Sequence, residues 1–332
     1  MLFEFDSDQR LWRDTVREVL VKQCPALLVR SVVDQGVDPE PLWRRYVELG
    51  WTELTDPADT VELAIVLEEL GRATDPTPYL ATMTQFAPLA GQFVQSGQVG
   101  AAVYEGVTAH RDGTGWRLHG AARHVLDGDR ADVLAVCTDA GVFVVPRNAV
   151  TAVRTPVFDP TLHVAEVVFD GVSVTGANLV DADTERARHV ALVGLALTVV
   201  GACQRILDLV LEHVRTRTQF GTVIGSFQAV QHKAADMHVA IERARALAYY
   251  GATTIATDDP RRRLAAAMAK ASAGECQSLA FRHGVQLFGA MGFTWENDLQ
   301  FALKRAKAGE LLLGGAAVHR AQIAEEYRAV HV

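Results

Sequence analysis

The chain has 332 residues, of which 49% are hydrophobic and 22% charged, and its net charge is −8. That length leaves room for two to three domains of about 100–200 residues with buried cores of their own, and the hydrophobic content excludes a disordered chain. The 32 basic residues are dispersed and outnumbered by 40 acidic ones, which excludes the basic footprint of a nucleic-acid binder.

The first residues, Met1-Leu2-Phe3-Glu4-Phe5-Asp6, lack the basic start and apolar run of a signal peptide, so a cytoplasmic location is expected. Asp6 or Ser7 can cap a helix whose apolar residues Leu11, Trp12, Val16, Val19 and Leu20 recur at helical spacing, and Cys24-Pro25 ends it. A second helix runs from Pro39 or Pro41 through Leu42, Trp43, Tyr46 and Val47, with Gly50 in the place of a left-handed cap. A third runs from Thr60 through Leu63, Ile65, Val66 and Leu70 to Gly71. The stretch from Asp75 to Phe93 is expected to be helical but broken by Pro76, Pro78 and Pro88.

Between Gly100 and Val180 the period changes to that of strands. Trp116 to Gly120, Asp132 to Cys137, Val142 to Pro146 and Ala165 to Phe169 are short, rich in β-branched residues and separated by Gly, Asp, Asn and Pro. Asp139-Ala140-Gly141 suits a hairpin turn. No GxGxxG opens a helix here, so a dinucleotide-binding βαβ unit is not expected.

From Asp181 onward long helices return. Asp183 or Thr184 caps one that reaches Thr216, and within it the apolar run from Val190 to Cys203 is about a turn short of a membrane span, so no span is expected. The next begins near Ser226, where Phe227, Val230, Ala234, Met237, Ile241, Ala244 and Ala248 step by three and four along one face, the seam of a bundle. Asp258-Asp259-Pro260 opens a third that reaches Phe288, and Thr294 or Asn297 starts a fourth. The expected fold is therefore α+β: an N-terminal helical domain (1–98), a small barrel-like middle β-domain (99–180) and a C-terminal four-helix bundle (181–332). Cys24, Cys137, Cys203 and Cys276 form no CxxC pair and no ligand cluster with histidine, so they read as reduced core residues, and no metal site is expected.

Three positions in the last domain carry chemistry. Arg217 lies in a Gly-bounded loop between long helices, where its fork of donors suits either a pyrophosphate or a surface ion pair. Gln228, after apolar Phe227 at a helix start, can read an adenine edge or face water. Gln286 with Gly289 and Gly292 sets a polar side chain beside bare backbone, which suits either close approach to a ligand or a tightly packed helix end.

The run Arg215-Thr-Arg217-Thr-Gln219-Phe220-Gly221-Thr-Val-Ile224-Gly225-Ser-Phe227-Gln228-Ala-Val-Gln231-His232-Lys-Ala-Ala-Asp236-Met237 closely resembles the acyl-CoA dehydrogenase signature RxQFGxxIgxFQxvQHxLADM. Gln286-Leu-Phe-Gly289-Ala-Met-Gly292-Phe293-Thr294-Trp295-Glu296 resembles that family's second motif, QxhGGxGfTxE. With the α, β, α order, the resemblance covers essentially the whole chain. It implies FAD as cofactor and an acyl-CoA thioester as substrate. A carboxylate takes the α-proton, the β-hydride passes to flavin, and an electron-transfer flavoprotein is the acceptor. It further implies that Arg217, Gln219, Phe220, Phe227 and Gln228 hold the FAD pyrophosphate and adenine of a neighbouring subunit, that Gln286 and Gly289 touch the same cofactor, and that the assembly is a tetramer.

The same comparison leaves the catalytic residue unknown. One family glutamate position, in a segment that reads RDAKxxxIYEGT elsewhere, falls on Leu313; the other falls on Ala191. Neither residue can take a proton. Glu310 lies about one turn before Leu313 and is expected to be a solvated residue pointing some 60° away on a helix. Glu185 is about two turns from Ala191 and suits the helix dipole as a first-turn acid. Glu296 matches a family glutamate that is not the base. His232 belongs to the signature, and His319 sits in the final helix with only Arg320 beside it. In the β-domain the family's TEPxxGSD and W(I/V)TNG segments, which grip the flavin ring, correspond to Val103-Tyr104-Glu105-Gly106-Val107-Thr108 and to His124-Val125-Leu126-Asp127-Gly128. The chain thus resembles the short, non-catalytic subunit of heterotetrameric acyl-CoA dehydrogenases that actinobacteria use in steroid breakdown. Its expected partner is a catalytic acyl-CoA dehydrogenase subunit. The alternatives are a self-sufficient homotetramer with a displaced carboxylate and a structural homologue without flavin.

Overall fold

A computed structural model describes residues 4–331, so Met1 to Phe3 of the N-terminal segment lie outside the described residues. The first helices are α1 (Ser7–Gln23), α2 (Ala26–Gln35), α3 (Glu40–Glu48) and α4 (Thr60–Ala73). Asp6 caps α1 in a reciprocal arrangement with Gln9, and Gly50 follows α3 at φ +75°, as the sequence suggests. Helix α2 is an addition to the sequence reading: Pro25, which ends α1, also starts a new helix in which only Val29 is buried, so its apolar stripe is weak. The proline-broken stretch resolves into α5 (Tyr79–Ala81), a π-helical turn (Thr82–Phe86) and α6 (Ala87–Ala90).

The β region holds two four-stranded sheets. Strands β1 (Gly100–Val103), β4 (Val133–Thr138), β5 (Gly141–Pro146) and β8 (Leu179–Val180) form one in that order, with β1 parallel to β4. Strands β2 (Val107–Asp112), β3 (Gly115–Leu126), β7 (Val164–Val174) and β6 (Thr151–Arg154) form the other, wholly antiparallel. Thr138 pairs with Gly141, so Asp139-Ala140 is the hairpin turn. The sheets enclose a core of their own, with Val103, Leu118, Leu134, Phe143, Val145 and Phe169 at its centre.

The C-terminal bundle consists of α7 (Thr184–Thr216), α8 (Gln228–Ala256), α9 (Arg262–Phe288) and α10 (Leu299–Leu311), and a fifth helix, α11 (Ala316–His331), packs on α9. The expected four-helix count therefore gains one, because the chain leaves helical geometry after Leu311 and passes through Leu313 at φ +56° and Gly314 at φ +98°. Helix α10 starts at Leu299, whose amide is capped by Asn297. One continuous core joins the N-terminal helices to this bundle through α4 and α7. There the backbones nearly touch. A Cβ on Gly201 would stand 1.9 Å from the Glu68 carbonyl oxygen, and one on Gly71 2.2 Å from that of Thr198. Only glycine at both positions allows that approach.

A buried arginine ties the three regions together. On α10, Arg305 donates from Nε to Asp159 at 2.8 Å and from Nη2 to the Asp75 carbonyl at 2.7 Å and the Thr161 hydroxyl at 2.6 Å. Asp75 follows α4, and Asp159 and Thr161 lie between β6 and β7.

Candidate functional site

Two places in the molecule bear on function, and they are distinct. The first is the end of the bundle where α7 stops and α8 begins. A two-residue hairpin links β9 (Thr218–Gln219) to β10 (Thr222–Val223), with Phe220 and Gly221 at its tip at φ +53° and +79°. A left-handed pair suits the mirror-image turns of tight hairpins, but a bulky side chain there is strained. Phe220 is nevertheless 91% exposed, its ring meeting that of Phe227 edge-on at 6.2 Å. Arg217, the C-cap of α7, is exposed, and its guanidinium has no ion-pair partner among the described residues, so the surface-ion-pair alternative does not apply. Gln219 is exposed in β9, Phe227 caps α8, and Gln228 is its exposed first residue.

The second motif arrives at the same end. His213 on α7 stacks on Phe288 of α9, ring centres 4.5 Å apart, which sets the exposed Gln286 and the α9 C-cap Gly289 beside the hairpin end of α7. Gly289 adopts φ +62°, ψ −140°, backbone that side-chain-bearing residues avoid. Its neighbours Met291 and Phe293 are exposed too. Arg30 of α2 steadies the following loop by donating to the carbonyls of Trp295 and Glu296 and pairing with Asp298 at 2.6 Å. The side chain of Glu296 is exposed.

The second place is a cleft of about 590 Å³ between the β region and the loop joining α10 to α11. None of Arg217, Gln219, Phe220, Phe227, Gln228, Gln286 and Gly289 lines it. Leu313 does, together with His124 and Leu126, whereas Ala191 is buried inside α7 away from the lining. His124 (φ +60°) and Leu313 (φ +56°) both hold left-handed backbone, strain that clusters at sites rather than in ordinary walls. The only acidic residue among the described lining is Glu105, exposed in the turn after β1.

Of the carboxylates and histidines weighed from the sequence, Glu310 and His319 sit differently from expectation, while Glu185 is the first-turn acid of α7 as expected. Glu310 is not a solvated residue on a continuing helix: α10 ends one residue later, and the carboxylate accepts from Lys307 at 2.8 Å and from the Ala316 amide at 3.2 Å. Burial alone would raise its pKa, but Lys307 and that amide outweigh burial and hold it below the usual carboxylate value. It caps α11. His319 does not stand beside Arg320 alone: it is buried, its Nε2 lies 3.2 Å from the Leu313 carbonyl, and burial depresses its pKa. Lys270, buried on α9 and unnoticed in the sequence, donates to the carbonyls of Glu310 and Gly314 at 2.7 and 2.8 Å, with its pKa pushed down to about 8 by burial. These three residues fix the loop that carries Leu313 into the cleft. Glu185 is exposed, 3.6 Å from Arg263, and outside the cleft.

Sequence reasoning also missed Tyr104 and Arg188 as a pair. The Arg188 guanidinium lies over the Tyr104 ring at 5.4 Å, and both line the cleft. They are 84 positions apart, and no local pattern links them.

The family profile described as "Acyl-CoA dehydrogenase, C-terminal domain" matches residues 183–327. The chain is 31% identical over 326 residues to the acyl-CoA dehydrogenase IpdE2 of Mycolicibacterium smegmatis, covering 93% of this chain and 95% of that protein. Its fold is similar to that of glutaryl-coenzyme A dehydrogenase in its glutaryl-CoA complex (TM-score 0.89, 23% identity, 99% of this chain and 97% of that one). It is equally similar to a chain of the ChsE4-ChsE5 complex from Mycobacterium tuberculosis (TM-score 0.89, 24% identity, 99% of each).

Proposed function

Because the chain belongs to the acyl-CoA dehydrogenase family, we propose that it is the accessory half of a two-chain enzyme. In this reading it lends the adenine and pyrophosphate end of an FAD site to a catalytic partner and performs no dehydrogenation by itself. Family members are FAD flavoproteins; when bound, FAD accepts the hydride from the β-carbon of an acyl-CoA. The residues of this chain fit the dinucleotide end of that cofactor and not its ring. Arg217 offers a free guanidinium to a pyrophosphate, Gln228 an amide at an exposed helix start, and Gln286 and Gly289 a polar edge beside open backbone. Leu313, which the resemblance sets at a base position, and His124 and Leu126, which it sets at an aromatic and a hydroxyl position, all line the cleft.

The observation that carries this reading is the separation of the two places. Seven residues matching the family's cofactor motif crowd an exposed end, with a strained phenylalanine pointing outward, while the chain's own cleft holds no enclosed carboxylate. A solvent-facing aromatic and an unpaired arginine are the side chains that anchor subunit contacts. The partner is then an unlike acyl-CoA dehydrogenase chain, as in the ChsE4-ChsE5 complex, with an acyl-CoA as substrate, an electron-transfer flavoprotein as acceptor and the cytoplasm as location. Steroid-derived acyl groups are the substrate class we assign to the assembled pair.

The test is flavin absorbance and stoichiometry for the purified chain, alone and co-expressed with an acyl-CoA dehydrogenase encoded beside it. One FAD per unlike pair is expected, with Arg217→Ala lowering FAD retention about tenfold or more, the scale of a charge-assisted contact. One FAD per chain in the isolated protein overturns the proposal.

A further inference from the structure

Helix α2 contributes little to the core, since Val29 is its one buried residue. The next residue along it nevertheless makes hydrogen bonds to partners 265 to 268 positions away. We propose that Arg30 is a positioning residue for the cofactor end: from α2 it braces the loop between α9 and α10, so that Gly289 and the backbone after it are already ordered when FAD binds. This rests on the reading above that Gln286 and Gly289 meet the cofactor.

The loop has no burial of its own to hold it. Between Gly289 and Asp298 only Gly292 is buried, and Met291, Phe293 and Trp295 stand exposed, so almost no apolar area fixes the segment. It opens with a 3₁₀ turn (Gly289–Phe293) that starts from the unusual backbone of Gly289, φ +62° and ψ −140°. Backbone of that kind persists only where its surroundings over-determine it. At the near end the surroundings are the stacked rings of His213 and Phe288. At the far end they are Arg30.

The guanidinium occupies three acceptors of the loop at once. Its Nη1 donates to the Trp295 carbonyl at 3.1 Å, and its Nη2 to the Glu296 carbonyl at 3.2 Å and to the Asp298 carboxylate at 2.6 Å. One turn further along α2, Asp34 lies 3.5 Å from the same guanidinium and accepts from the Trp295 indole at 3.1 Å. The plane also covers the Phe301 ring of α10 at 5.1 Å. A planar fork that reaches two successive carbonyls and a carboxylate is available to arginine and not to lysine. None of these bonds goes to Arg217, Gln228, Gln286 or Gly289, so Arg30 acts through the loop. An ordered loop spares the binding step the entropy of ordering it, which lengthens the life of the bound state.

The experiment compares the unaltered protein with Arg30→Met, which keeps a stem over Phe301 and removes every donor, and with Arg30→Lys, which keeps the charge without the fork. In the isolated chain, amide hydrogen exchange over residues 290–296 should be about tenfold faster in Arg30→Met and intermediate in Arg30→Lys, with the urea midpoint little changed. In the pair co-expressed with an acyl-CoA dehydrogenase encoded beside it, FAD release followed by flavin fluorescence should be about fivefold faster in Arg30→Met. Unchanged exchange in the loop, faster exchange with unchanged FAD release, or full recovery of both in Arg30→Lys overturns the proposal. So does a fall in the urea midpoint of both variants large enough to account for the exchange, because Arg30 is then a residue of the fold alone. Arg217→Ala separates the two readings. If it speeds FAD release and Arg30→Met does not, only the brace falls; if neither changes release, or the isolated chain carries one FAD, the half-site reading falls and the brace with it.

Discussion

At the scale of single residues, Phe220 is the most telling. Its backbone is left-handed and its ring is in water, so it is disfavoured twice in the isolated chain. Asparagine tolerates the same backbone far better. Phe220→Asn should therefore stabilise the isolated chain by about 1 kcal/mol in urea unfolding. The same change should weaken assembly with a catalytic partner by about 2 kcal/mol, read by sedimentation, the scale of an aromatic anchor. The opposed signs are the diagnostic. A loss in both measurements would mean the ring is structural and that the exposed end is not a partner surface.

At the scale of elements, the long helices were legible where an end carries punctuation. Asp183 caps α7 by accepting from the Arg186 amide, and Gly289 closes α9. Close approach of α4 and α7 was not legible, since nothing in the local pattern says that Gly71 and Gly201 face each other across two helices. Gly201→Ala tests that contact: the added methyl collides with the backbone of α4, and we expect a loss of about 1–3 kcal/mol in thermal or urea unfolding. A neutral result would show that the helices can part without cost. The site divides in the same way. Arg217, Gln219, Phe220, Phe227 and Gln228 lie within twelve consecutive positions, so a motif finds them. Tyr104 and Arg188, or Lys270 and the Leu313 loop, meet only through tertiary packing. The surroundings of Glu310 and His319 were misjudged for a related reason: both depend on where α10 stops, and Leu312 in extended backbone, followed by Leu313 in left-handed backbone, ends it where leucine's helix propensity points the other way.

At the scale of the whole molecule, the helical core and the sheet core are bridged by a third apolar cluster, in which Phe86, Leu89 and Ala187 pack on Ala102, Ala135 and Val144, and by one buried cation. The helical core runs from the N-terminal helices through the bundle, and the sheets enclose another. Arg305 is 4% exposed against a fully buried Asp159, and it reaches the segment after α4 as well. Removing one member of such a pair leaves the other charged and buried, at a cost of about 3–5 kcal/mol. Arg305→Met should show that loss in urea unfolding, the three regions still melting together because the apolar cluster around Phe86 continues to join helices and sheet. A loss below about 1 kcal/mol would mean that the buried pair contributes little to that coupling.

Helix α7 has a consequence for how the chain is made. A stretch of it is apolar enough to cross a membrane, yet it is mostly buried by α4, α8, α9 and α10. Of these only α4 precedes it in the sequence. A ribosome adding about 5–20 residues per second completes α7 some 5–20 seconds before the end of α10 exists. During that interval α4, the π-helical turn and α6 are the covering elements already synthesised, and α4, with the largest contact, presents Gly71 to α7 first. The order of the elements along the chain therefore has a partner for the most water-averse helix already made when that helix is synthesised.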